Sequence, residues 1–394
     1  MAAWGALPRF VCLYAALYAA FGVSSPFLPA FIASRGVPPE QIGILFAAAT
    51  ALRLLSGPIV GRIADRLHAL RLLFAACAVL AAAAVLCYLP AARFGSMLAV
   101  SLLHAAMLAP LTVLADALAL GAAVPRDGDA GHSGFEYGWV RGAGSAAFIA
   151  GSLASGQVIG VGGLSIILLL SATLLAASAA AVLTVPEVIR PSAVRTACDE
   201  VVADGIRSLL QLPSFRRLVI IAALVLGSHA MHDSFAVIRW REAGLSPPTI
   251  SVLWSEAVAA EVLVFFVIGP ALVRRLTPAG AITLAAGAGV LRWAVMAQSA
   301  DLAIMATVQP LHGLTFALLH LAAMRIIASI VPRGLAATAQ AIYGTVGIGT
   351  ATAVLTLASG AIYGRAGAEG FWVMAALCAL ALPLSRGLRQ RRPA

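Results

Sequence analysis

The stretch Gly36-Val37-Pro38-Pro39-Glu40-Gln41-Ile42-Gly43-Ile44-Leu45 returns as Gly244-Leu245-Ser246-Pro247-Pro248-Thr249-Ile250-Ser251-Val252-Leu253, 208 residues later (244 − 36). With no gap, Gly36 meets Gly244, Pro39 meets Pro247, Ile42 meets Ile250 and Leu45 meets Leu253. The same shift carries outward along the chain. Gly61 falls on Gly269, Arg66 on Arg274, His104 on His312 and Gly156 on Gly364. Identities among Ala, Gly and Leu arise easily by chance in an apolar chain, whereas matched Pro, Arg and His do not. The chain therefore reads as two copies of one unit running in the same direction.

That unit belongs in a membrane. Of the 394 residues, 61% are hydrophobic and 11% charged, against about 25% charged in soluble domains. So few charges cannot cover a soluble fold of this size, and disorder needs the opposite composition. Apolar windows of about 20 residues predict twelve helices, near 9–33, 41–63, 70–90, 95–122, 138–160, 163–185, 215–239, 249–272, 279–299, 302–329, 336–362 and 367–386. The run from Arg9 to Ala33 is long for a signal peptide and right for a spanning helix. The polar stretch 187–213 separates residues 1–186 from 214–394 and reads as a cytoplasmic linker. The expected fold is an all-α membrane protein with twelve transmembrane helices in two six-helix pseudo-symmetric halves, the second ending in a short basic tail. Parallel repeats of this kind place a substrate site near the bilayer midplane.

The charge follows from orientation. The net is +10, all 26 basic residues are arginine, and there is no lysine. With both termini cytoplasmic, 17 arginines fall on the cytoplasmic side, 5 outside and 4 within the spans. The positive-inside rule thus accounts for the basic excess, and no nucleic-acid partner is expected. Without lysine there is no Walker A motif and no Schiff base. No nucleophile–base pair and no metal-spaced ligands are evident, so neither an enzyme nor a cofactor or metal site is expected. The energy source is then an ion gradient or the substrate's own. The five cysteines, at 12, 77, 87, 198 and 378, read as buried small apolar residues. Asp127-Gly128-Asp129 has only half of a calcium loop. Gly57-x-x-x-Gly61 serves packing within one chain as readily as between chains, and a monomer is the simpler expectation.

A charge at a helix centre costs about 2.5–3.5 kcal/mol on insertion scales, so each one within a span is a candidate. The first half offers Arg53, Asp116 and Arg141; a carboxylate and a guanidinium fork on neighbouring helices suit an anion or a hydroxyl. In the second half His229 and Asp233 are i and i+4 and share a helix face. Glu256 and Glu261 follow on the next helix, about 140° apart at 3.6 residues per turn. Arg292-Trp293 come next, then Gln309, His312, Phe316 and His320, a single stripe by spacing. Arg53 and Glu261 are equivalent by the repeat (261 − 53), so both copies carry a charge at one depth. Arg325 falls off the stripe, near the cytoplasmic end.

Gly61-Arg62-Ile63-Ala64-Asp65-Arg66-Leu67-His68 resembles the loop motif of the major facilitator superfamily, Gly-x-x-x-Asp-Arg/Lys-x-Gly and then basic residues. His68 stands where that motif has Gly, and Ala69-Leu70 where it has a basic pair. The resemblance makes Gly61, Asp65 and Arg66 a gating motif, with Asp65 capping a helix or accepting from an arginine. Further strings, His320-Leu321-Ala322-Ala323-Met324-Arg325, Leu291-Arg292-Trp293, Asp116-Ala117-Leu118 and Glu136-Tyr137-Gly138 with Arg141, resemble the phenylpropionate permease family from about Tyr14 to Met374. Glu136-Tyr137-Gly138-x-x-Arg141 is more distantly similar to lactose permease-type proton symporters. By helix placement so are Glu261, Arg292 and His320, although Ala323 stands where those have a glutamate.

These resemblances imply proton-coupled import of a small organic solute, an aromatic carboxylate such as a phenylpropionate-like acid. A sugar or nucleoside symporter and a drug or metabolite antiporter are the alternatives. The implied substrate-binding residues are Asp116, Arg141, His229, Trp254, Arg292, His312 and Phe316. Proton coupling is assigned to Glu261 first and Asp233 second, with His320 and Arg292. The expected partners are the substrate, protons and the lipid bilayer, in a bacterial inner membrane.

Overall fold

The computed structural model describes residues 5–123, 135–186 and 199–388. Asp127, Asp129, Cys198 and the linker stretch 187–198 lie outside them. Lipid offers no partner for backbone N–H and C=O groups, so a spanning chain closes its hydrogen bonds within helices or barrels. Among the described residues every element is helical.

The chain forms two compact units, Met1–Val37 with Ala48–Ser192 and Ser246–Val252, and Pro38–Ala47 with Ala193–Leu245 and Leu253–Ala394. The first carries α1 (Ala6–Ser34), most of α2 (Pro39–Leu67), α3 (Leu70–Leu86), α4 (Phe94–Ala123), α5 (Tyr137–Gly162) and α6 (Ile166–Val182). Here α1 packs on α5 and α6, and α3 on α4 and α6. A Cβ on Gly22 would run into the Phe148 carbonyl, and one on Gly151 into that of Ala19. These two glycines let α1 and α5 touch backbone to backbone, the contact that holds helices together where water does not drive association. Gly57 and Gly61 lie over Val113 of α4, so the Gly57-x-x-x-Gly61 pair packs within the chain.

The second unit carries α7 (Asp199–Gln211), α8 (Pro213–Gly227), α9 (His229–Glu242), most of α10 (Pro247–Leu263), α11 (Gly269–Gln298), α12 (Leu302–Val308), α13 (Leu311–Gly313), α14 (Leu319–Ile330), α15 (Ala336–Ile342), α16 (Ala351–Ala366) and α17 (Phe371–Arg386). Here α11 packs on α17, α9 on α16, and α8 on α17. Three π turns interrupt it, Val264–Ile268, Leu314–Leu318 and Tyr343–Thr350. The first turns of α2 cluster with this unit, and those of α10 with the other. A Cβ on Gly43 would lie 2.8 Å from Cα of Gly360, and one on Gly156 2.7 Å from the Pro247 carbonyl oxygen. Under the 208-residue shift Gly43 falls on Ser251 and Gly156 on Gly364, and a Cβ on Gly156 would likewise run into Ser251, as one on Gly364 would into Glu40. Gly36 and Gly244 both take left-handed backbone, φ 78° and 85°, which glycine adopts without steric cost.

The span expected over 215–239 is present as α8 and α9, Pro213–Glu242, marked only at Ser228, where the backbone stays helical (φ −61°, ψ −18°). The boundary expected between 249–272 and 279–299 is found at Thr277 (φ 64°), just before Pro278, and a π turn, Val264–Ile268, lies within the first of the two. Other expectations need correction. Part of the linker, Asp199–Gln211, is helical. Cys77 and Cys378 are buried, but Cys12 and Cys87 are exposed, as an apolar thiol on a lipid-facing surface can be. Asp65 neither caps α3 nor accepts from an arginine among the described residues. His68, where the superfamily motif has Gly, takes φ 49°. The motif's glycine therefore answers a real conformational demand that a histidine meets with strain of about 1–2 kcal/mol.

Candidate functional site

The buried polar chemistry of the second unit converges on Arg292, which is wholly buried. It arrives from α11, packed against α9 and the α12–α14 segment. Its Nη1 bonds His312 Nδ1 at 3.1 Å; its Nη2 bonds His232 Nε2 at 3.3 Å and Gln309 Oε1 at 2.7 Å. Each histidine turns its other nitrogen to a carboxylate. His312 Nε2 lies 3.3 Å from Glu261 Oε2, and His232 Nδ1 lies 3.2 Å from Asp233 Oδ1. Guanidinium can only donate, so each ring nitrogen facing Arg292 accepts and the proton sits on the nitrogen facing the carboxylate. Both imidazoles are neutral in this arrangement. The result is two carboxylate–imidazole arms, Glu261–His312 and Asp233–His232, meeting on one cation that has, among the described residues, no carboxylate of its own within 4.0 Å.

Aromatic rings wall this set. Trp254 stacks on His232 at 5.1 Å between centroids, and Phe316 on His312 at 5.6 Å. His229 is buried edge-on to Trp293, 5.0 Å from His312, and its Nε2 has no partner. Trp293 Nε1 donates to Ser228 Oγ at 2.8 Å, where α8 meets α9. His320 makes no hydrogen bond among the described residues, and its ring faces Phe265 and Tyr343. Phe265 lies four residues after Glu261, so His312 and His320 face successive positions of one helical run across the π turn Leu314–Leu318. It is His312 that the fold sets between Glu261 and Arg292. Glu256 makes no hydrogen bond or ion pair among the described residues.

The first unit brings Asp116 of α4 and Arg141 of α5 to 3.6 Å. Asp116 Oδ1 also accepts from Tyr14 at 2.5 Å and Tyr137 at 2.7 Å, and Arg141 donates to the Tyr18 hydroxyl. Every contact of Asp116 is on Oδ1; Oδ2 has no partner among the described residues. Both side chains are partly open, 33% for Asp116 and 43% for Arg141. The set can take a ligand that offers a donor to Oδ2 and an acceptor to the guanidinium.

Three of these groups, Tyr14, Tyr18 and His232, are not marked by helical spacing of charges. Tyr14 and Tyr18 are i and i+4 on a helix otherwise rich in Ala and Leu, which is a usable signal. His232 sits beside Asp233 but off the face shared by His229 and Asp233. Gln309 is visible on the stripe, yet nothing in the sequence marks it as an Arg292 acceptor.

Comparison with known proteins shows the family. The model of the MFS_1 like family matches residues 8–374. The "Probable 3-phenylpropionic acid transporter" of Escherichia coli (strain K12) is 31% identical over 379 residues, 94% of each chain. The "Uncharacterized transporter YwbF" of Bacillus subtilis (strain 168) is 22% identical over 351 residues, 88% of this chain and 84% of that one. Among solved structures, the nucleoside transporter NupG superposes with a TM-score of 0.79 at 16% identity, over 97% of each chain. A bacterial homolog of the human lysosomal transporter Spinster gives 0.74 at 15%, over 96% of this chain and 95% of that one. With a family match over nearly the whole chain and a curated relative aligned end to end, this multi-pass membrane transporter belongs to the MFS_1 like family, within the major facilitator superfamily.

Proposed function

We propose that this transporter couples proton movement to the import of a small aromatic carboxylate, a 3-phenylpropionate-like acid, by alternating access. The single observation that carries the reading is the pair of carboxylate–imidazole arms on Arg292. A proton reaching either arm has two effects there. On the carboxylate, it removes the acceptor charge that orients the imidazole. On the imidazole, it removes the lone pair that Arg292 needs and sets two cations side by side. Either way the hold on Arg292 loosens, and a local charge change becomes a change in how α11 is tied to α9, α10 and α13. Glu261 is the first proton site and Asp233 the second. In the first unit Asp116 and Arg141 line the substrate path, and in the second Trp254 and Phe316 stand beside the coupling residues.

The relative named as a 3-phenylpropionic acid transporter supports the choice of cargo. The arginine distribution supports cytoplasmic termini, halves at 1–186 and 214–394, and an inner-membrane location. The test is substrate-induced proton uptake in proteoliposomes of the purified monomer, over a panel of aromatic acids, sugars and nucleosides. External alkalinisation with an aromatic acid is expected. Transport of the acid without proton movement refutes the coupling, and transport of a nucleoside or sugar alone refutes the cargo.

A further inference from the structure

The cation that receives the cargo's carboxylate is not Arg141 or Arg292. We propose that it is Arg53, with Ser56 and His104 beside it; the inference rests on the reading of the cargo as an organic acid. Arg53 is the middle residue of the 29-residue α2, about 21 Å from either end at about 1.5 Å per residue. At that depth an unpaired charge is costly. Arg141 already has Tyr18 and Asp116. Arg292 has both terminal nitrogens engaged by His232, His312 and Gln309. Arg53 is exposed, and among the described residues no carboxylate stands within ion-pair distance of it and no hydrogen bond reaches it. Of the charges in the spans of the first unit, Asp116 and Arg141 offset each other and Arg53 is left over.

Its surroundings are unsatisfied in the same sense. Gly57 lies over Ala109 and Val113 of α4, and Gly61 over Val113. One turn back along both helices, that register sets Arg53 level with Ala105, next to His104. Arg53 interacts electrostatically with His104 and with Tyr88, whose ring stands edge-on to the His104 imidazole. His104 is 3% exposed and Ser56 8%, and among the described residues neither His104 Nε2 nor Ser56 Oγ has a hydrogen-bond partner. Ser56 is three residues from Arg53, on the same face of α2. Native structures rarely leave buried polar atoms unmatched. A carboxylate supplies what is missing, two oxygens for the guanidinium fork with lone pairs left for the hydroxyl and the imidazole N–H. By the repeat, the cation that holds the cargo's anion then stands where the second copy has Glu261.

Binding to the purified full-length protein tests this with 3-phenylpropionate and its neutral amide as probes, in chloride and in gluconate. Arg53→Gln is expected to weaken the acid by about tenfold or more, the scale of one charge-assisted pair, and to change amide affinity by less than about twofold, the scale of a surface effect. Arg53→Lys is expected to fall between. Should Arg53→Gln fail to fold, Ser56→Ala and His104→Gln are to show the same selective loss of the acid. Unchanged acid affinity in folded Arg53→Gln overturns the inference, as does an equal loss for acid and amide. Chloride competition that depends on Arg53, with acid affinity in gluconate unchanged by the substitution, also overturns it and makes the site one for inorganic anions. If the unsubstituted protein binds no aromatic acid, the cargo reading falls and this one with it. If it binds the acid and Arg53→Gln does so equally, only this inference falls.

Discussion

The close approach of α2 to α16 gives a steric prediction with a definite size. A Cβ on Gly360 would lie 2.7 Å from the Pro39 carbonyl oxygen and 2.8 Å from Cα of Gly43. Comfortable contacts begin near about 3.5 Å, so Gly360→Ala forces the helices apart by several tenths of an ångström, against backbone that cannot rotate away. Overpacking of this kind costs about 1–3 kcal/mol, equivalent to a shift of about five- to 150-fold in a two-state equilibrium. The cost falls only on arrangements in which the start of α2 lies against α16. The assay is maleimide labelling of Ile42→Cys, a buried position of α2, in a chain whose native cysteines have been replaced. Labelling should accelerate in Gly360→Ala by a factor within that range. Gly95→Ala, where a Cβ meets nothing within 4 Å, should leave the rate unchanged. An unchanged rate in Gly360→Ala would refute the argument, because the tight contact would then be absent from the resting population.

Three smaller predictions concern the packed sites. Asp116→Asn keeps an oxygen for Tyr14 and Tyr137 and should melt close to the parent. Asp116→Ala leaves the buried Tyr14 hydroxyl without its acceptor and should lose about 1–3 kcal/mol; equal melting of the two variants would discount that hydrogen bond. Trp293→Phe removes the bond to Ser228 and part of a fully buried ring, a loss of about 1–3 kcal/mol, measurable by denaturant titration in detergent. Gly151→Val should abolish folded protein in size-exclusion profiles because its side chain meets the Ala19 backbone, whereas Gly160→Ala, with nothing within 4 Å, should be silent.

How much of this was legible in the sequence depends on the physics behind each feature. The spans were readable because lipid imposes one long apolar helix after another, and the repeat because Gly36 and Gly244 need the same left-handed turn. The pairing of Asp116 with Arg141 was readable from helix order. The partner of Glu261 was not. His312 and His320 lie on one stripe by spacing, and spacing alone does not say which of the two bonds a carboxylate of the facing helix. His232 was missed for a related reason, since periodicity points to residues that share a face, and His232 reaches Arg292 from beside the His229–Asp233 face. Gly61-x-x-x-Asp65 pointed to helix packing for its first member, whereas the cap or arginine contact that the motif implies for Asp65 is absent among the described residues.

The repeat also bears on why the two copies differ where they do. A carrier of an acid with a proton must provide a cation for the anion and a base for the proton. The base must also be kept from simply neutralising the cation. Two identical copies cannot meet both demands at one depth. Here the equivalent positions 53 and 261 carry opposite charges. His104, the counterpart of His312, has no guanidinium bonded to it, while His312 lies between Arg292 and Glu261. In the second unit the bonded set of Asp233, Glu261 and Arg292 alone sums to one negative charge, which a single proton cancels. In the first, Arg53 leaves one positive charge over, which a single carboxylate cancels. Loaded with one acid anion and one proton, both sets are neutral. Neutrality on loading is what a carrier needs if its occupied form is to rearrange within the bilayer at lower cost than its half-loaded forms.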